Sequence, residues 1–266
     1  MHITIHARPQ IPWQRDYSIC LSAGLAKHGI SNSVQDYDST KGTIAIILGP
    51  HWGRHLEMEN FLQVNRAFIG KSEYDDSDTH CISVGWCGMN GRADFCLNDI
   101  DKDRWKLFMK EDDIHEYHKE GGVVLCGQAD NGRSAVELAD FYKHSKMAFP
   151  DAVFREHPSK PQEYVHNWSD TKLAVTLNST VAVDALLNGN SVVSCDEGNP
   201  VYAWTQHNTA DEYLYPDQIE IVQTLANCQY TRKEIQNGRF WEILSGERNG
   251  PLSSFHRNES KTSREG

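Results

Sequence analysis

Between Leu173 and Asp196 the chain reads LAVTLNSTVAVDALLNGNSVVSCD: an apolar run, a short polar turn, a second apolar stretch of helical length, a glycine and another apolar run. Short continuous runs of aliphatic and β-branched residues bounded by turn residues read as strands buried on both faces. Asn178-Ser179-Thr180 has the small polar side chains that open helices, and Gly189 is placed to end one. A strand–helix–strand unit of this kind needs cover on both faces of its sheet, which commits this part of the chain to an α/β layer. A helix start carries unpaired N–H groups and the positive end of the helix dipole, so it also attracts phosphate. Because Ser and Thr caps occur in any α/β protein, an ordinary helix cap stays open beside the nucleotide-binding half-site.

A second stretch lies upstream. In Val153-Phe154-Arg155-Glu156-His157-Pro158, apolar residues lead into an Arg, a His and a strand-stopping Pro. The guanidinium is a planar fork suited to phosphate oxygens, and His157 can donate to the same anion. A surface Arg with a capping His is the alternative. With both strands read as neighbours, the two loops meet at their carboxyl ends, the edge where open α/β sheets bind ligands.

The residues R-x-H-P, followed by N-S-T-V-x-x-x-A-L-L-x-G-x-x-V-V, are similar to the carboxyl-terminal half of GT-B glycosyltransferases, in particular capsular-polysaccharide synthesis proteins of the Kdo-transferase type. The likeness runs from Val153 to Asp196. It implies that Arg155, His157, Ser179 and Thr180 hold the phosphates of a nucleotide-sugar donor such as a UDP-sugar, with Asn178 of the same turn also among the donor-binding residues. Many GT-B enzymes use a Glu in this helix for the donor's ribose or sugar hydroxyls; Asp184, one methylene shorter, stands nearest. The resemblance further implies two Rossmann-like lobes with a cleft between, a terminal helix crossing back, and transfer without a bound metal or tightly held cofactor, with protein cations neutralising the leaving nucleotide.

The chain of 266 residues suits one large or two small domains. No apolar run reaches bilayer length and MHITIHARPQ is not a signal peptide, so a cytoplasmic protein without membrane contact is expected. Seven scattered cysteines in no zinc spacing fit a reducing compartment. His115 and His118 fall in a charged stretch read as a helix, where a solvated face is favoured over a shared metal. A net charge of −11 argues against non-specific coating of nucleic acid, though a local basic cleft remains compatible with it.

Strands are expected at His2 to His6, Ser33 to Tyr37, Thr43 to Leu48 and Asn65 to Ile69, with a helix from Asp16 to His28; these form an amino-terminal, acceptor-side lobe over 1–115. Gly85, Gly88 and Gly91 mark the next segment as loop, either a turn anchored by Trp86 and Phe95 or an acceptor loop carrying Arg92 and Asp94. The donor lobe over 116–245 has strands at Gly122 to Gln128, Val153 to Arg155, Leu173 to Leu177 and Ser191 to Cys195, and a helix over Ser134 to Ser145. Thr231 with Glu234 forms a capping box, and 246–266 reads as a polar, disordered tail.

Sugar transfer needs a base for the acceptor hydroxyl. Asp94, His51 and Asp16 are the candidates, each near an expected strand end, with helix capping for Asp16 and loop bonding for His51 as alternatives. Gln128 ends a strand and is placed to contact the donor. Trp52 and Trp86 can stack on an acceptor ring, although most tryptophans are core; Arg54 and Arg92 would line a basic stripe. The Gly85–Phe95 loop and L-A-N-C-Q-Y-T-x-x-E-I-x-x-G-x-x-W look like small phage-encoded glycosyltransferases. That likeness implies DNA modification, with a 5-hydroxymethylpyrimidine such as 5-hydroxymethylcytosine as acceptor; a polysaccharide acceptor is the alternative. A nucleotide-sugar epimerase or a non-catalytic nucleotide-sugar binding module is the reading of another class. Oligomeric state is not legible.

Overall fold

Aliphatic runs in the two halves of the chain build two separate sheets in the computed structural model, which describes residues 2–36, 44–49, 61–70, 81–128, 135–157, 166–207 and 213–246. Of these, the residues up to Lys102 and those from Thr224 onward form one compact unit, and Asp103–Gln223 form the other. The division falls at Lys102 rather than near 115. The intervening 3-10 turns, Arg104–Leu107 and Glu111–Asp113, lead into a strap whose His115 and His118 N–H groups donate to Leu187 O and Gly189 O at 2.8 and 2.6 Å. The strap thereby occupies carbonyls that a helix end leaves without partners. His115 and His118 therefore sit in chain without regular secondary structure, not in the expected helix.

The first unit contains β1 (His2–His6), α1 (Pro12–Lys27), β2 (Ser31–Gln35), β3 (Ile44–Leu48), β4 (Phe61–Arg66) and β5 (Cys81–Trp86). Helix α1 starts at Pro12 rather than Asp16, since a first-turn N–H needs no intrahelical partner and proline already has a helical φ. With β10 (Gln229–Thr231) at one edge, the order is β10-β5-β4-β3-β1-β2, with β1 to β4 parallel and β5 and β10 antiparallel to their neighbours. Ile3, Ile5, Ile46, Leu48, Leu62, Val64, Ile82 and Val84 alternate onto one face, where they meet Leu21 and Leu25 of α1. Tyr230 of β10 (Gln229–Thr231), Ile235 of α5 (Arg232–Asn237) and Phe240 of α6 (Arg239–Leu244) complete that core. Gly238, at φ +86°, ends α5 and starts α6, so the segment Gln229 to Leu244 is a short strand and two short helices.

The second unit contains β6 (Gly122–Cys126), α2 (Ala135–Ala148), β7 (Val153–Arg155), β8 (Thr171–Thr176), α3 (Val181–Leu187) and β9 (Ser191–Ser194). All four strands are parallel, in the order β7-β6-β8-β9. From β6 the chain moves outward through α2 to β7; from β8 it moves the other way through α3 to β9. Right-handed crossovers in opposite directions place the two helices on opposite faces. Leu125, Leu173, Val175 and Val193 accordingly pack with Phe141 and Leu138 of α2, while the alternate residues face α3. The strand order reverses between β6 and β8, which makes that gap the topological switch point. Strands β7 and β8 are not neighbours, contrary to expectation: β6, which precedes both in sequence, lies between them.

Through α4 (Gln218–Asn227) the chain passes from the second unit back to the first. No helix among the described residues is long and apolar enough to cross a membrane.

Candidate functional site

The carboxyl ends of β6 and β8 bring together Gly127-Gln128 and the turn Leu177-Asn178-Ser179-Thr180. Within that turn the Ser179 hydroxyl accepts from Val181 N at 3.3 Å, and Ser179 O accepts from Ala182 N at 3.2 Å. Thr180 is the N-cap residue but makes no side-chain cap bond, so Ser179 does the capping. Among the described residues, the backbone N–H groups of Ser179 and Thr180 make no hydrogen bond, and the turn is half-buried. Two adjacent open donors at a switch point can receive one anionic oxygen. Asn199, buried in the loop after β9, supports the turn from behind by donating to Ser179 O at 3.4 Å.

Gln128 does not project outward. Its Nε2 donates to Cys126 O, Gly127 O and Thr176 Oγ1 at 2.8, 3.2 and 3.0 Å, and its Oε1 accepts from Asn178 N at 3.4 Å. The expected direct contact with donor is replaced by bonds between the two loops. Gly127 permits the next loop to approach: a Cβ there would lie 2.5 Å from His157 N and 2.9 Å from Arg155 O. Gly127 N donates to Arg155 O at 2.6 Å, tying the Arg155–His157 loop to the end of β6.

Arg155 is paired in register with Cys126, so both side chains lie on the α3 face of the sheet. The guanidinium lies 5.9 Å over the Trp168 ring and hydrogen-bonds the Cys126 thiol. Burial pushes that thiol up to about 11; Arg155 pulls it down and the carboxylate of Asp184 raises it further. Asp184, on α3, and Arg155 thus both act electrostatically on the Cys126 thiol. His166 packs edge-on against Trp168 at 4.4 Å and bonds Thr171 Oγ1 at 3.1 Å; burial, then the Arg155 charge, holds its pKa below the ordinary value. His157 is exposed at the strand end.

Other expected residues are placed differently. Trp86 is 3 % exposed, donates Nε1–H to Leu244 O at 2.7 Å and packs edge-on against Trp241, so it is core and not an acceptor platform. Asp94 is 8 % exposed; its backbone pairs with Trp86 and its carboxylate accepts from Cys96 N at 2.9 Å, holding a residue whose φ is +53°. Its carboxylate is engaged in that turn. The glycine-rich segment is half strand β5 and half a turn folded back on it, with Arg92 exposed. Asp16 lies inside α1 with its carboxylate 3.0 Å from Arg15 Nε. His51, Trp52 and Arg54 lie outside the described residues, as does 247–266 of the expected tail.

Two features were not foreseen. His6 ends β1 at 3 % exposure, and among the described residues neither ring nitrogen has a hydrogen-bond partner of good geometry, although the Asp36 backbone lies close; only its terminal place in an alternating strand could have drawn attention to it. In the loop after β9, Tyr202 and His207 stack at 3.7 Å, a pairing with no local sequence signal. Among the described residues no group of three or more His, Cys, Asp or Glu is placed to hold a metal ion.

No family model and no curated protein matches the chain. Among solved structures, the chain is similar to the beta Kdo 2,7 transferase of KpsC from Thermosulfurimonas dismutans, with 10 % identity and a TM-score of 0.50, over 92 % of this chain and 99 % of that one. The beta Kdo 2,4 transferase of the same organism's KpsC gives 12 % identity and a TM-score of 0.47, over 86 % and 90 %. At such identity the first likeness concerns the fold, which both chains share over nearly their whole length.

Proposed function

We propose that this protein is a glycosyltransferase of the GT-B type, moving a sugar from a nucleotide-sugar donor to a hydroxyl of a glycan acceptor of the kind met in polysaccharide synthesis. The observation that carries the reading is the switch point of the second unit. There, among the described residues, the turn 177–180 offers two open N–H groups, and the loop carrying Arg155 and His157 is tied to the end of β6, the strand between. Such donors, with a nearby guanidinium, suit the charge that develops on a departing nucleotide. The shared fold with a Kdo transferase supports the reading and favours a glycan over DNA as acceptor. A hydroxymethylpyrimidine acceptor in phage DNA has no comparable support, and the net charge of −11 opposes a polyanionic partner.

In this reading Arg155 and His157 neutralise the donor phosphates, Ser179 and Thr180 bind them through backbone N–H groups, and Asp184 holds a donor hydroxyl. No bound metal is required. A UDP-sugar is the first donor to try. Of the candidate bases, Asp94 is engaged in its own turn, while Asp16 and His51 stay open.

The test is calorimetric titration with UDP, GDP, dTDP, CMP and ADP, followed by turnover of the matching sugar donors with glycan acceptors. One nucleotide should bind, and Arg155→Ala should weaken it at least tenfold. Binding of none of them, or full affinity in Arg155→Ala, would remove the donor site. Interconversion of the sugar without an acceptor would replace transfer by epimerisation.

A further inference from the structure

A primary amide carries two N–H hydrogens and one carbonyl oxygen, and Gln128 uses all of them. The partners come from different elements: Cys126 O from β6, Gly127 O just beyond it, Thr176 Oγ1 from the end of β8, and Asn178 N from the β8–α3 turn. The Gln128 backbone N–H adds a fifth bond, to the Tyr142 hydroxyl on α2 at 2.8 Å. One side chain therefore ties two parallel strand ends together where the strand order reverses. The N–H that it holds, on Asn178, immediately precedes the two open N–H groups of Ser179 and Thr180. Thr176 is fully buried, so its hydroxyl has no solvent to turn to if the amide is lost.

We propose that Gln128 is a positioning residue: it locks the 177–180 turn so that the Ser179 and Thr180 N–H groups point at one phosphate position, without touching the ligand itself. The functional half of this statement rests on the second unit being the donor site. The locking half stands on the hydrogen bonds alone. A side chain that merely ends β6 would leave the turn as rigid without it.

Amide hydrogen exchange on the full chain tests the lock. In Gln128→Ala, the bonded amides of the turn, Asn178 N–H and Val181 N–H, should exchange about tenfold faster, the worth of one ordinary hydrogen bond, while those of the first unit stay unchanged. Thr176→Val, which removes one partner, should give part of the same effect. The double variant should exchange no faster than Gln128→Ala, because the threonine hydroxyl acts through the amide. Gln128→Glu, which keeps the acceptor for Asn178 N but turns a carboxylate toward two carbonyl oxygens, should not restore the wild-type rates. Unchanged exchange at Asn178 and Val181 in both single variants would overturn the proposal.

The second readout uses whichever nucleotide the wild type binds, and its parent nucleoside. Gln128→Ala should weaken the nucleotide about tenfold and leave the nucleoside unaffected, since only the phosphate contacts depend on the turn. Equal losses for both would mean general damage and would sink the positioning role. If the wild type binds no nucleotide, only the donor reading fails, and the exchange rates still decide whether Gln128 holds the turn.

Discussion

A thiol's surroundings decide its chemistry more than its identity does, and the seven cysteines illustrate this. Cys126 is buried beneath Arg155 and pushed up to about 11, Cys228 is raised by complete burial, and Cys87 is exposed. A thiol reacts as its thiolate. Iodoacetamide on the native protein should therefore modify Cys87 first and leave Cys126 and Cys228 intact until unfolding, as peptide mass spectrometry can read. Histidines differ in the same way. Burial lowers the His6 pKa from 6.5, with the Asp36 backbone partly opposing, and burial with Arg155 lowers that of His166. A depressed folded value means that the unfolded chain takes up the proton first. Stability is thus whole above 6.5 and declines as pH falls through that value. Thermal melts should show Tm falling between about pH 7 and 5, and His6→Leu should flatten part of that slope; an equal slope in the variant would refute the assignment. Which polar residues are structural was scarcely legible. In sequence the segment reads equally as a turn anchored by Trp86 and as an acceptor loop carrying Asp94, and only the backbone pairing between the two residues shows that both close a turn.

Elements with local signals were read well. The Thr231–Glu234 capping box forms as its spacing requires, with Thr231 N donating to Glu234 Oε2 at 2.9 Å and Glu234 N to Thr231 Oγ1 at 3.2 Å. Thr231→Ala should cost about 1 kcal/mol in urea denaturation. Gly24 is less obvious. It sits in mid-helix, where glycine is unfavourable, because a Cβ there would meet Ile235 O of α5. Gly24→Ala should destabilise the first unit by about 2 kcal/mol despite the gain in helix propensity, since a backbone oxygen cannot move aside as a side chain can. Strand β5 went unread because Gly85 breaks its pattern; that glycine makes room for Ala93 and Phe95 folding back on the strand. Strand β10 was missed for another reason: its three residues carry no period of their own.

At the scale of the molecule, two α/β sets follow from two alternations of strand and helix. Membership of the units does not. The first unit reclaims the chain from Thr224, and Tyr230, Ile235 and Phe240 are all but fully buried in its core. A chain ending at Gln223 should therefore lose the first unit, seen as rapid proteolysis of fragments from 2–102, while the whole chain resists. Equal resistance would show that the returning segment is dispensable.

The sequence by itself determined the units of structure: aliphatic runs for strands, glycine and proline for their ends, hydroxyl residues for caps. Each depends on contacts between residues close along the chain. It also named the two loops of the candidate donor site. Tertiary structure alone decided that β6 separates those loops, that Gln128 spans the gap, that Arg155 lies over Trp168, and that the last strand and helices belong to the first unit. These depend on which strands pair and on which face a crossover helix lies, and pairing between distant segments leaves no periodic trace in a single chain.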